Sequence, residues 1–216
     1  MLLIATLVLG VQRPPADEVM KSMLAHYQRL KSYSAKVIHH GDFLSESKES
    51  TDTLSWLAPK RFEIVSNKDS SPKISSNGKR VATFVLQGVP ILEDLTQGQH
   101  IPAWEPRGGI VLSLLMRGQL ADQLLHPEKP LKVSYSYGKD LKWHDVPVSQ
   151  IEGKLTAPGF TETINYYLSP DCKQIVGLEV ITGDRSVWTQ YTEVQENPLL
   201  PKWLGDLPKT SGESPN

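Results

Sequence analysis

Apolar and polar residues alternate with two different periods along this chain, and the changes of period mark its elements. After Pro14 and Pro15, Val19, Met20, Met23, Leu24, Tyr27 and Leu30 recur at steps of three and four, which draws one apolar stripe along a helix. Asp17 and Glu18 open that stripe and Arg29 and Lys31 close it, the order of charge that a helix dipole favours. From Ser32 the period falls to two. Residues 34–40 are β-rich, residues 53–57 put Leu54 and Trp56 on one face, and residues 61–65 set Phe62 and Ile64 against Arg61 and Glu63. Asn77-Gly78, between Ile74 and the run 81–86, predicts a hairpin with a type I′ turn, which needs positive φ at both central positions. Pro59 predicts a break between two strands, and the polar residues 41–50 a loop at a hairpin tip.

The alternation then pauses. Residues 90–106 read as irregular, and Gly108-Gly109 introduces Ile110, Val111, Leu112, Leu114, Leu115, Met116, Leu120, Leu124 and Leu125, closed by Pro127 and Pro130. This predicts a helical insert, in one piece or broken near Gly118, that is apolar around most of its circumference. Such a helix must be covered on several sides or must itself cover something apolar. Period two resumes over residues 132–137, 141–148, 150–155, 162–168, 174–182 and 186–195, with Gly183-Asp184 as a hairpin turn between the last two. Residues 197–216 are Pro-rich, with Trp203 and Leu204 as the only docking side chains, and residues 209–216 read as disordered. Successive strands with short turns imply an antiparallel meander. The predicted fold is mainly β within the α+β class: one large curved antiparallel sheet with the N-terminal helix and the helical insert packed on its concave side. A flat two-layer sandwich is the rival, but it leaves the all-round apolar insert unexplained.

Charge and cysteine usage narrow the function classes. With 23 Lys+Arg against 24 Asp+Glu among 216 residues, no surface binds nucleic acid or anionic membrane by net charge alone. The 39% hydrophobic content argues against disorder throughout and against a multi-span membrane protein. The one cysteine, Cys172 in Ser-Pro-Asp-Cys-Lys, excludes an internal disulfide and a multi-cysteine metal site, and reads as a turn residue. Residues 2–9 form an uncharged apolar run too short to span a ~30 Å hydrocarbon core. They match a short secretory h-region with Val8 and Gly10 flanking a cleavage site, a first β-strand being the other reading. The division expected is a leader over residues 1–12, one domain over 13–204 and a flexible tail over 205–216.

Catalytic patterns are sparse. His39-His40 and His144-Asp145 are adjacent pairs that a strand would point to opposite faces, and His26 has no His-x-x-x-His partner. There is no Gly-x-Ser-x-Gly, P-loop or dinucleotide fingerprint, and nothing brings Glu93, Asp94 and Glu162 together as a carboxylate pair. No enzyme, cofactor or metal site is expected, and a hydrolase is the distant alternative. An apolar cavity is the stronger prospect. Trp56, Phe62, Ile64, Phe84, Tyr135, Trp143, Tyr166, Leu168 and Trp188 sit on the apolar phase of their strands as candidate walls, and Leu112, Leu115 and Met116 as a lid face. A filled core is the plainer reading of each. Lys60, Arg61, Lys68, Lys73, Lys79 and Arg80 gather around the first hairpins as a candidate basic face, or simply as a solvated surface.

Three stretches carry a resemblance. The helix runs through Tyr27-Gln28-Arg29-Leu30-Lys31-Ser32 into the first strand; Trp56-Leu57-Ala58-Pro59-Lys60-Arg61-Phe62 leads to Asn77-Gly78-Lys79; and Tyr191-Thr192-Glu193 leads to Asn197-Pro198-Leu199-Leu200. In this order they resemble the LolA/LolB-like family of periplasmic lipoprotein carriers, over about residues 17–204. The resemblance implies an unclosed barrel lidded by helices, an apolar cavity for acyl chains, a monomer in the periplasm, and a lipid or lipidated protein as partner. Relatives of RseB type imply instead an envelope sensor that docks another envelope protein. Carriers of the family place an Arg directly before the proline of the second stretch, where it helps to hold the lid closed; Ala58 stands there here, which points to a different cargo.

Overall fold

The computed structural model describes residues 13–40, 49–67, 72–84, 91–95, 105–116, 132–139, 141–183 and 185–207. Helix α1 (Ala16–Arg29) starts on Pro15, whose carbonyl accepts the N–H groups of Glu18 and Val19 at 3.0 and 3.1 Å. It buries the predicted stripe, Val19, Met20, Met23, Leu24 and Tyr27, and stops where Leu30 turns extended.

The strands are β1 (Ser32–His40), β2 (Glu49–Leu57), β3 (Arg61–Ser66), β4 (Pro72–Asn77), β5 (Arg80–Thr83) and β6 (Ile91–Asp94). After helix α2 (Glu105–Leu115) come β7 (Lys132–Tyr137), β8 (Leu141–Trp143), β9 (Val146–Ala157), β10 (Phe160–Leu168), β11 (Ile175–Thr182) and β12 (Arg185–Glu196). All pairings are antiparallel, in the order β6-β5-β4-β3-β2-β1-β12-β11-β10-β9-β7, with β8 also paired to β9. The first and last strands meet in the middle of the sheet, where β1 pairs with both β2 and β12. No pairing among the described residues joins β6 to β7, so the sheet is open there. The expected single curved antiparallel sheet, not closed into a barrel, is the observed architecture.

Four local expectations need correction. Residues 90–106, read as irregular, contain β6 and the first turn of α2. Pro106 sits in that first turn, where its missing N–H costs no intrahelical bond, so α2 begins before the Gly108-Gly109 pair. Strand β2 begins at Glu49, inside the stretch read as a loop. At Asn77-Gly78 only Gly78 has positive φ (+90°); the Asn77 side chain closes the turn by accepting the N–H groups of Lys79 and Arg80 at 2.9 and 2.8 Å. The two-residue turn with positive φ at both positions lies at His144 (47°) and Asp145 (63°), between paired Trp143 and Val146. That turn splits the strand expected over residues 141–148. Leu120, Leu124 and Leu125 of the predicted insert lie outside the described residues, as do the leader and residues 208–216.

Candidate functional site on the inner face of the sheet

Period two gives the sheet two faces with different contents. On the inner face the register aligns Tyr33, Trp56 and Phe62 across β1, β2 and β3, and Ala35, Leu54, Ile64 and Ile74 one row on. Ile151, Tyr166 and Leu178 continue this face across β9, β10 and β11. Helices α1 and α2 lie against it, and their apolar residues join the strands' in one buried cluster. The second half of α2 is buried on every side: Ile110, Val111, Leu112, Ser113, Leu114 and Leu115 are all buried, as is Met116 just after it. Its Val111 N–H bonds the Tyr191 hydroxyl, which fastens the helix to β12 at the sheet's centre.

Tyrosines line this interior. Tyr27 accepts the Ile175 N–H at 2.9 Å and lies 6.0 Å, ring to ring, from Tyr33, while Tyr135 meets Tyr166 edge-on at 6.2 Å. Gly153 makes that second pair possible, because a Cβ there would stand 2.8 Å from the Tyr166 ring and 3.1 Å from Tyr135. Desolvation pushes the phenols of Tyr27, Tyr33, Tyr166 and Tyr191 above their ordinary value of 10.0, so all four stay uncharged at neutral pH. Polar side chains collect further along the same face. Asp52 and Ser66 are opposite one another and buried, and His39 Nδ1 lies 3.1 Å from Thr189 Oγ1. Beside the end of β7 an open recess of about 600 Å³ is lined by Arg13, Pro14, Pro15, Ala16, Tyr135, Ser136 and Tyr137. Arg13 stacks over the Tyr137 ring at 5.6 Å.

The order of elements, two helices on the inner face of an unclosed antiparallel meander, has solved counterparts. The Mycobacterium tuberculosis lipoprotein LppX superposes with a TM-score of 0.51 over 86% of this chain and 97% of its own, at 12% identity. The chain thus shares its fold with LppX. LprF of Mycobacterium bovis gives a TM-score of 0.48 at 10% identity (88% of this chain, 97% of that one). A LolA superfamily protein of Nitrosomonas europaea gives 0.40 at 8% identity (89% and 98%). No protein-family pattern and no curated protein matches the sequence.

Within this half-barrel the predicted wall and lid residues separate into groups. Trp56, Phe62, Ile64, Tyr166, Leu168, Leu112, Leu115 and Met116 come together in the buried inner cluster, and half-buried Tyr135 packs against it. Phe84 is half-buried just past β5 and stands outside the cluster. Trp143 and Trp188 are on the other face. The β8–β9 hairpin folds across it, stacks Trp143 on Tyr167 at 4.5 Å and lays the indole over Gly177, where a Cβ would stand 1.9 Å from Cζ3. Trp188 meets Trp143 edge-on at 5.9 Å and stacks on His40 at 5.0 Å, and His144 tilts against it at 4.5 Å. His39 and His40 do face opposite ways, as strand geometry requires; one member of each histidine motif, His40 and His144, ends beside the same indole.

Beneath that stack Glu179 accepts hydrogen bonds from Ser186 Oγ (2.6 Å), Asn165 Nδ2 (3.0 Å) and Tyr167 OH (2.9 Å). Desolvation raises the Glu179 carboxyl, but these donors outweigh it and hold the group below its ordinary value of 4.5. The strand-phase reading missed Tyr33, Leu178 and Tyr191 as interior residues. For Tyr191 the signal was present, since Val187 and Thr189 share its phase whereas Trp188 shares its own with Ser186 and Gln190. Among the described residues no group of three or more His, Cys, Asp or Glu is placed to hold a metal ion, and no helix is long and apolar enough to cross a membrane.

Proposed function

We propose that the chain is an envelope protein that holds the acyl part of a lipid or lipidated protein on the inner face of its half-barrel, with α2 as the movable cover. The observation that carries this reading is the character of α2. From Ile110 to its end it is buried on every side, and Gly108-Gly109 within its own turns weaken it by about 1 kcal/mol per glycine relative to alanine. Such a helix is held by the apolar surface it covers, and an acyl chain worth ~0.8 kcal/mol per buried CH₂ competes for that surface on equal terms. Binding then needs no bond chemistry: α2 swings out, Trp56, Phe62, Ile64, Tyr166 and Leu168 become the wall, and Leu112, Leu115 and Met116 close over the cargo. Similarity in fold to the lipoprotein LppX is consistent with an envelope setting.

The complete burial of Phe62, Leu112 and Tyr166 favours a second reading, in which the inner face stays filled and the protein docks another envelope protein. Native mass spectrometry of the purified protein, with uptake of a fluorescent acyl probe, separates the two. Co-purified lipid, or probe uptake lost in Leu112→Glu, supports the carrier. Neither lipid nor probe removes it and leaves the interaction module.

A further inference from the structure

Among the described residues two large apolar side chains are exposed, Leu199 (104%) and Trp203 (63%), and both project from the segment after β12. That segment is fixed at both ends. At its start the Asn197 N–H donates to the Ser32 carbonyl (2.9 Å), Asn197 Oδ1 accepts the Lys31 N–H (2.8 Å), and Ser32 Oγ donates to the Pro198 carbonyl (2.7 Å). At its end Arg61 Nε donates to the Leu204 carbonyl (2.8 Å), the Gly205 N–H donates to Glu63 (3.1 Å), and Arg61 pairs with Asp206. Gly205, at φ +74°, lies so close to the sheet that a Cβ would stand 2.0 Å from the Ser76 carbonyl oxygen. Trp203 is therefore displayed by a strap that is already ordered, and little further entropy is lost when something receives it.

The strap crosses the end of the sheet where β1 starts, β2 turns into β3, and β4 ends. Lys31 and Lys60 stand at the first two of these places, Lys202 on the strap, Arg29 at the end of α1 and Lys79 in the β4–β5 turn. None of these five pairs with a carboxylate among the described residues, whereas three carboxylates at this end do pair, Glu196 with His26, Asp206 with Arg61 and Asp171 with Lys173, and Asp94 stands opposite Arg80 in the ladder. Local positive charge thus surrounds a projecting Trp and Leu on a chain whose net charge is −1. Tryptophan favours the membrane–water interface, and lysines beside it are drawn to anionic headgroups.

We propose that this rim docks the protein on an anionic lipid surface, with Leu199 and Trp203 entering the headgroup layer and Lys31, Lys60 and Lys202 against phosphates. An apolar groove on a partner protein would take the two side chains but has no use for the ring of cations. The docking is independent of any cargo on the inner face. Flotation of the full chain with vesicles of phosphatidylcholine, and of phosphatidylcholine mixed equally with phosphatidylglycerol, tests it. The mixed vesicles should carry the protein, raised salt should release it, and Leu199→Ser with Trp203→Ser should weaken binding by about tenfold or more. Replacing Lys31, Lys60 and Lys202 by Gln should abolish the preference for the mixed vesicles. The proposal is overturned by no flotation on either composition, which would assign the pair to a protein partner, or by flotation that both variants leave unchanged. Lipid recovered with protein in the vesicle-free fraction reports the inner-face reading separately, so the two stand or fall apart.

Discussion

The two faces of one sheet use the same aromatic residues for opposite ends. On the inner face Trp56, Phe62 and Tyr166 are covered by helices that come from elsewhere in the chain, and water is excluded altogether. On the outer face Trp143, Trp188 and Tyr167 are covered only by a hairpin of the sheet itself, over a network of Glu179, Asn165 and Ser186. The difference shows that burial here depends on what lies above a strand more than on the strand's own composition. Desolvation raises tyrosines on both faces, Tyr33, Tyr166 and Tyr191 on the inner and Tyr167 on the outer, so the two faces differ in what covers their rings.

Three measurements test how far the comparison holds, beginning with the largest effect. Phe62→Ala on the inner face should destabilise the fold by about 3–5 kcal/mol in a denaturant titration, because the surrounding helices relax only partly into the cavity. A loss under 1 kcal/mol would mean that the inner face is loosely filled. Gly177→Ala on the outer face should displace the Trp143 ring and cost about 1–3 kcal/mol, with altered tryptophan fluorescence as the local signal. If fluorescence stays native, the hairpin is not latched by that notch.

The smallest effect concerns acid. Glu179 has a folded-state value below 4.5, so its contribution is full above that ordinary value and drains away as pH falls through the lower folded value. Glu179→Gln should flatten this part of the stability profile by lowering stability at neutral pH toward the acid value, while stability at the acid end stays as in the parent protein. An identical acid limb in the variant would show that the network does no linked work.

The helix and most strands were legible because their periods are clean: α1 shows its stripe, and residues 61–65 and 162–168 alternate without interruption. The single curved sheet followed from meander order, and its openness from the family resemblance. What escaped was local. Strand β6 is only four residues, Ile91–Asp94, between prolines and polar residues, too short for a period to declare itself. The turn at His144-Asp145 lacks glycine and so carries no turn signature, and missing it left Trp143 on the wrong face. Strand phase put Trp56, Phe62, Ile64, Tyr166 and Leu168 on the face that the structure buries, but it could not show that a hairpin would bring His40 and His144 to one indole. That meeting depends on three strand crossings, which no local pattern encodes.

An open sheet has two edges, and each is a template for an unwanted strand. At β7 the chain guards its own edge. The Tyr137 hydroxyl donates to the Pro14 carbonyl at 2.7 Å, which holds Pro14 and Pro15 against the end of that strand. Neither proline has an N–H to offer, so a stray chain arriving there finds no donor in the covering segment to start a ladder. The segment that leads into the first helix thus sets two residues without an N–H beside the last residue of β7.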